Sequence, residues 1–228
     1  MKVYFLGHAT FKLETGNCRI LIDPFFTGNP QTNASADEQT GIDYILITHG
    51  HSDHIGDCVS IARREKAMVI ANFEICNYLS TKGLEKVHPL HLGGKHKFDF
   101  GKVKMTPAIH GSGIFEDNKI IYGGNPGGFL IEAEQVKFYH AGDTGLTVEM
   151  QLLQEENINL AALPIGGNFV MDVEDAFRAV KIFKPQQVIP IHYDTFPVIK
   201  ADPQKFKQLV EGIGVKCVVM KSGDMIEI

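Results

Sequence analysis

The sequence predicts a mixed α/β fold of two sheets packed together with helices outside. Three observations lead there. Strand-like and helix-like segments alternate through all 228 residues, with no break in composition. Short apolar runs such as Ile42–Thr48 have the length and evenness of strands buried on both faces. The second half also echoes the first. Phe11 to Ile22 and Phe129 to His140 each read strand, two-residue turn, strand. Ile42–Ile47 and Ile158–Leu163 then each feed a Gly-containing loop.

Taken in order, residues 3–6, 11–14 and 18–22 read as strands, with Gly16-Asn17 at a hairpin turn. The polar stretch Asn29–Thr40 reads as loop. After the strand at 42–48, Ile55–Lys66 has Ile55, Val59 and Ala62 at helical spacing. A strand at 67–70 precedes a helix with Asn72 as N-cap and Gly83 as its stop. Residues 96–108 look like short strands. The glycine-rich stretch 111–128 is expected to be loop throughout. Glu134-Gln135 marks the turn of the second hairpin. Asp172, with acidic residues after it, opens one helix, and Asp202-Pro203 opens another. One domain spanning 1–228 is expected, large enough to bury a substantial core.

Composition excludes several classes. Apolar residues make up 44% and the net charge is −5, with no Lys/Arg cluster of the kind a nucleic-acid binder needs. Cys18, Cys58, Cys76 and Cys217 are dispersed, and none forms a CxxC pair. They read as reduced, mostly buried small hydrophobes rather than a disulfide frame or a thiolate zinc site. Met1–Leu6 reads as a strand, so no signal peptide is expected. No apolar run approaches the roughly 18 residues of a membrane span. A cytoplasmic protein acting on a small molecule, without nucleic acid or membrane and with homo-oligomerisation open, is the simplest expectation.

The chemistry concentrates in Thr48-His49-Gly50-His51-Ser52-Asp53-His54, where three histidines and an aspartate fall within six residues. They sit where a buried strand ends and a helix begins, so a rigid sheet holds them while they project into a cleft. Gly50 is expected to let the backbone turn tightly so that the side chains converge. Imidazole and carboxylate donors suit Zn, Mn, Fe or Ni. His110, Asp143 and His192 each stand at a strand's exit, the same placement. Alone, each reads as a cap or a satisfied polar group; beside the first cluster, each reads as a further ligand. His88, His91 and His96 are loosely spaced and read as ordinary loop histidines.

With these residues in view, the chain resembles the metallo-β-lactamase superfamily over nearly its whole length. The HxHxDH loop carries the superfamily match. A closer match is carried by Gly7-His8-Ala9, Asp23-Pro24-Phe25, His110-Gly111-Ser112-Gly113 and Gly124-Asn125-Pro126. It continues in His140-Ala141-Gly142-Asp143-Thr144, Pro164-Ile165-Gly166-Gly167-Asn168-Phe169 and His192-Tyr193-Asp194-Thr195. These resemble a group of bacterial and archaeal metal-dependent hydrolases related to ascorbate-6-phosphate lactonases and N-acyl-phosphatidylethanolamine phospholipases.

The resemblance implies a four-layer αββα sandwich with two pseudo-repeated halves and a site for two divalent metal ions at one edge. His49, His51 and His110 would hold the first ion. Asp53, His54 and His192 would hold the second, and Asp143 would bridge them. The donors leave positions open for substrate, as a catalytic site requires. The implied activity is hydrolysis by a hydroxide generated between the cations, with Asp53 orienting it. Two divalent ions, two aspartates and a hydroxide sum to about +1, which favours a small anionic ester, lactone or phosphodiester. Lactams fit less well, because many di-zinc lactamases carry Cys where this chain has His54.

Other residues are assigned by position. His8 is a candidate proton donor to the leaving group or a substrate contact, or a histidine bonded only to backbone. Asp23 would orient a metal-bound histidine, or merely form a turn with Pro24. Thr144 and Asn168 could hydrogen-bond ligands or substrate. A nuclease, an iron oxygenase and a metal-binding sensor without turnover are the alternatives.

Overall fold

The structure, a computed structural model, describes all residues 1–228. Its chain runs β1 (Lys2–Phe5), β2 (Phe11–Thr15), β3 (Cys18–Ile22), β4 (Tyr44–Leu46), α1 (Ser52–Ile55), α2 (Cys58–Glu65), β5 (Met68–Ala71), α3 (Phe73–Thr81), β6 (Val87–Pro89). The second half follows as β7 (Lys95–Phe98), β8 (Gly101–Pro107), β9 (Ile114–Glu116), β10 (Lys119–Ile121), β11 (Gly127–Ala133), β12 (Val136–His140), β13 (Leu160–Pro164), α4 (Val173–Phe183), β14 (Gln187–Ile191), α5 (Pro203–Glu211), β15 (Lys216–Cys217) and β16 (Met225–Glu227).

Two seven-stranded sheets form, ordered β16-β1-β2-β3-β4-β5-β6 and β15-β14-β13-β12-β11-β8-β7. Each has an antiparallel hairpin feeding a parallel run: β2–β3 leads into β4 and β5, β11–β12 into β13 and β14. This is the echo between the halves. Alternation along the strands then dictates the layers. Phe11, Leu13, Ile20 and Ile22 of the first sheet share one core with Phe129, Ile131, Phe138 and Leu160 of the second. Their neighbours point outward. Leu21, Ile45 and Val69 pack on α2 and α3 through Ile61, Cys76 and Leu79. Leu130, Tyr139 and Leu163 pack on α4 and α5 through Ala176, Val180 and Phe206. The result is the four-layer αββα sandwich. No helix is long and apolar enough to cross a membrane.

Capping follows the sequence. Asn72 accepts from the Ile75 amide, Asp172 from Asp175, and Asp202 from Gln204 and Lys205. Three expectations need correction. The helix expected over Ile55–Lys66 starts earlier, at Ser52, and breaks at Gly56 and Asp57. Gly56 packs on the Pro24 carbonyl, and Asp57 accepts from the Phe26 and Thr27 amides and the Thr27 hydroxyl. The buried face of α2 is therefore Cys58, Ile61 and Ala62.

The stretch 111–128 is not all loop: β9 and β10 form a hairpin, pairing Phe115 with Ile120. Its turn residues Asp117 and Asn118 both have positive φ, as a type I′ turn requires. Finally, His88 and His96 are strand residues on β6 and β7, their rings 4.3 Å apart against Phe98. C-terminal β16 adds to β1 and covers that sheet's edge.

Candidate metal centre

Every candidate ligand lies just beyond the C-terminal end of a strand or in the helix that follows. His49 follows β4; His51 is the N-cap of α1, and Asp53 and His54 lie in its single turn. His110 follows β8, Asp143 follows β12, and His192 follows β14. His8 follows β1 and Asp23 follows β3. His8, Asp23 and His192 all take left-handed backbone conformations (φ 58°, 46° and 54°), which turns each side chain back over the sheet end.

Gly50 serves a different purpose from the one expected. Its φ is not positive. A Cβ there would stand 2.6 Å from Ile114 Cγ1 and 2.7 Å from the Ser112 carbonyl. Glycine is needed because the root of the β9–β10 hairpin lies against the ligand loop. Ser112 fastens the contact, accepting from the Gly50 amide and donating to the Gly123 carbonyl.

The seven sequence-identified donors converge, and His8 joins them. His49, His51 and His110 form one compact donor group, and His8, Asp53, His54 and His192 a second. His49, His54 and Asp143 form a third that links them. Asp143 is central. Its Oδ1 lies 3.3 Å from His54 Nε2, and its Oδ2 lies 2.9 Å from His192 Nε2, 3.4 Å from His110 Nε2 and 3.9 Å from His49 Nε2. In the first group, His51 Nδ1 lies 3.1 Å from His49 Nε2 and 3.2 Å from His110 Nε2.

These residues fit a bound metal on two counts. Buried polar atoms ordinarily find hydrogen-bond partners, because leaving one bare costs about 1–3 kcal/mol. Here His8 Nε2, His54 Nε2, Asp143 Oδ1 and both ring nitrogens of His192 make no aligned hydrogen bond, short as some of the separations are. The donors are also all imidazole and carboxylate, with Cys58, Cys76 and Cys217 buried elsewhere.

The surrounding shell fixes the rings. Asp23 is fully buried and accepts from the Thr48 amide (2.8 Å) and the Thr48 hydroxyl (2.6 Å); its Oδ2 also lies 2.8 Å from His54 Nδ1. The proton on His54 Nδ1 that this contact demands turns Nε2 toward Asp143. His8 Nδ1 meets Thr195 Oγ1 at 2.7 Å, which leaves Nε2 3.3 Å from Asp53 Oδ2. His140 joins the halves. Its Nδ1 accepts from the Gly142 amide, so Nε2 donates to the Ala9 carbonyl.

Thr144 is buried and Asn168 is exposed. The Thr144 hydroxyl accepts from the Ile109 amide and donates to the Gly145 carbonyl, bracing the backbone beside His110. Asn168 has a φ of 52° in the turn that presents Phe169. Neither lines the cleft.

Electrostatics follows from burial and mutual charge. Burial pushes His49, His51 and His110 below the ordinary imidazole value, so they stand neutral. Burial also dominates His8, whose pKa falls to about 4. His54 goes the other way. Burial opposes its charge, but Asp143 and Asp23 on either side hold it well above the ordinary value. Burial disfavours the charges of Asp143 and Asp53 too, yet the surrounding imidazoles keep both carboxylates below the usual range.

The donors form the floor of a cleft of about 310 Å³. Its walls come from Phe115 on β9, Phe169 and Phe196. Sequence pattern alone assigns no role to these three, to Thr195 or to Ser112. Apolar Ile114-Phe115 and Ile120-Ile121 flanking Asp117-Asn118 was the available hairpin signal. Another cleft, bounded by Arg63, Lys66 and Lys86, holds none of these donors.

Comparison with known proteins bears on the fold and the family. Residues 18–193 match the family model of the beta-lactamase superfamily domain. A UPF0173 metal-dependent hydrolase of Anoxybacillus flavithermus is 51% identical, covering all of both chains. One from Alkaliphilus metalliredigens is 52% identical over 92% of this chain and 93% of its own. Among solved structures, Igni18, a metallo hydrolase from the archaeon Ignicoccus hospitalis, superposes with a TM-score of 0.89 at 38% identity, covering 100% of this chain and 98% of its own. On fold, donor set and these likenesses together, the chain belongs to the UPF0173 metal-dependent hydrolases of the beta-lactamase superfamily.

Proposed function

We propose that this protein hydrolyses a small ester, lactone or phosphodiester at a site for two divalent cations. His49, His51 and His110 would hold one cation, and Asp53, His54 and His192 the other, with Asp143 between them. The observation that carries this is the two donor groups joined through Asp143, whose oxygens face both. Two bound cations, Zn, Mn, Ni or Fe, would supply Lewis acidity at the scissile group and lower the pKa of a shared water.

The chain's own residues supply position. Asp53 is 24% exposed and faces the cleft, so it can accept a hydrogen bond from the attacking water and aim it. Its depressed pKa keeps it an acceptor at neutral pH. His8 is buried behind Asp53 and is not among the residues lining the cleft, so the part read for it runs through Asp53. Thr195 fixes its ring, and its Nε2 is placed either to steady Asp53 or to add a donor to the second group. Asp23 holds His54 in the tautomer that ligation needs. Four free cysteines suit a reducing compartment such as the cytoplasm.

The test is a screen of purified, metal-analysed protein against lactones, thioesters, phosphodiesters and sugar phosphates, with His51→Ala as control. Two equivalents of metal and turnover that disappears in the variant are expected. Turnover undiminished in His51→Ala, or metal without turnover on any class, defeats the proposal.

A further inference from the structure

The cleft above the donors is unusual in what it lacks. No lysine or arginine lines it, and its only polar side chain besides candidate ligands is Ser52. The wall is aromatic instead: Phe115, Phe169 and Phe196, from three separate segments. Phe115 is 66% exposed and Phe169 55% exposed, a large apolar surface to leave in water at the mouth of a site.

Their backbones are held firmly. Ile114, next to Phe115, is buried in the core shared with α2 and α3. On the other side, Glu116 is bound by the Tyr78 hydroxyl and by Lys82. Phe169 sits in a tight turn closed by the Val170 and Phe169 amides on the Gly167 carbonyl, and the Gly167 amide donates to Met171. Phe196 is partly buried against the His8 ring. Aromatic side chains carried on backbones fixed before a ligand arrives leave only two torsions each to order in gripping it. A wall with no cation likewise offers no partner to a second anionic group, whose desolvation would go uncompensated.

Resting on the hydrolytic role of the metal floor, we infer that the substrate carries a flat, neutral, apolar group beside its hydrolysable bond. Phe115, Phe169 and Phe196 receive that group, and any negative charge sits at the metal floor. Substrates with a second, distal anion, such as sugar bisphosphates, are selected against.

The test is isothermal titration of the protein loaded with two equivalents of Mn²⁺ or Zn²⁺. Its probes are phenylphosphonate, methylphosphonate and 4-carboxyphenylphosphonate. Phenylphosphonate is expected to bind about tenfold more tightly than methylphosphonate, and the added carboxylate to cancel most of that gain. Phe115→Ala and Phe169→Ala should each shrink the phenyl-to-methyl ratio severalfold. Equal affinities, a ratio unaltered by both substitutions, or no binding of any probe overturns the inference. So does a dimer that Phe115→Ala converts to monomer, which would assign the surface to a second copy. Hydrolysis without phenyl preference removes the aromatic role and leaves the hydrolase. Phenyl preference without hydrolysis does the reverse.

Discussion

Asp23→Asn tests the orientation of His54 with little change of shape. The substitution is nearly isosteric, and asparagine tolerates the left-handed φ of 46° as well as aspartate does. The amide oxygen can still accept from the Thr48 amide, as Oδ1 does now at 2.8 Å. What changes lies at Oδ2, where an NH₂ replaces an acceptor that meets His54 Nδ1 at 2.8 Å and the Thr48 hydroxyl at 2.6 Å. The hydroxyl can reverse and accept. His54 must either face a donor with its own proton or move that proton to Nε2, the atom aimed at Asp143.

Losing a buried hydrogen bond to a charged partner costs about 1.5–3 kcal/mol. At about 2–4 °C per kcal/mol for a chain of this size, the metal-free variant should melt about 3–12 °C lower. Metal affinity should fall about 10–100-fold, the usual toll for losing a partner that orients a ligating histidine. Melting in chelator gives the first quantity and competition with a chromophoric chelator the second. A lower melting temperature with metal affinity within about twofold of the parent would refute the orientation argument and leave Asp23 a turn former.

Gly50→Ala drives a methyl into Ile114 and the Ser112 carbonyl, so denaturant titration should show a loss of about 1–3 kcal/mol; an unchanged midpoint and slope would contradict the packing. Asp53→Asn, loaded with metal, should lose roughly a hundredfold or more in kcat once a substrate is in hand, and full activity would remove its role in aiming the water. The metal-free protein should also respond to pH with opposite signs at two histidines. His54, raised in the fold, contributes stability that is full below its unfolded value of about 6.5 and is lost as pH rises through the higher folded value. His8, lowered to about 4, costs stability as pH falls from about 6.5 to that value, because only the unfolded chain takes the proton readily. Melting temperatures in chelator should therefore peak near pH 6.5, at about the common unfolded value, and decline on either side of it. Metal uptake should release a proton from His54 and tighten with rising pH, as titration in buffers of different ionisation enthalpy would show.

Much of this was legible in the chain because it depends on local pattern. A dense run such as His49–His54 at a strand exit is readable from spacing, and so are Asn72, Asp172 and Asp202 as caps. The hairpin at 114–121 was hidden by the glycines around it, and its turn residues were masked by the same composition. The break at Gly56 was hidden because its cause, the Pro24 carbonyl and the 26–27 backbone, lies some thirty positions away.

By itself, then, the sequence determined the layers, the echo between the halves and the dense run His49–His54 at a strand exit, since periodicity and residue chemistry are properties of neighbouring positions. Tertiary structure decided the rest. It fixed the distances from Asp143 to His54, His110 and His192, packed His8 behind Asp53, and bonded the Thr144 hydroxyl to the backbone. It also raised three phenylalanines from distant segments into one wall. These outcomes depend on which strand ends meet across two sheets, and contacts between residues so far apart in the chain leave no periodic trace in it.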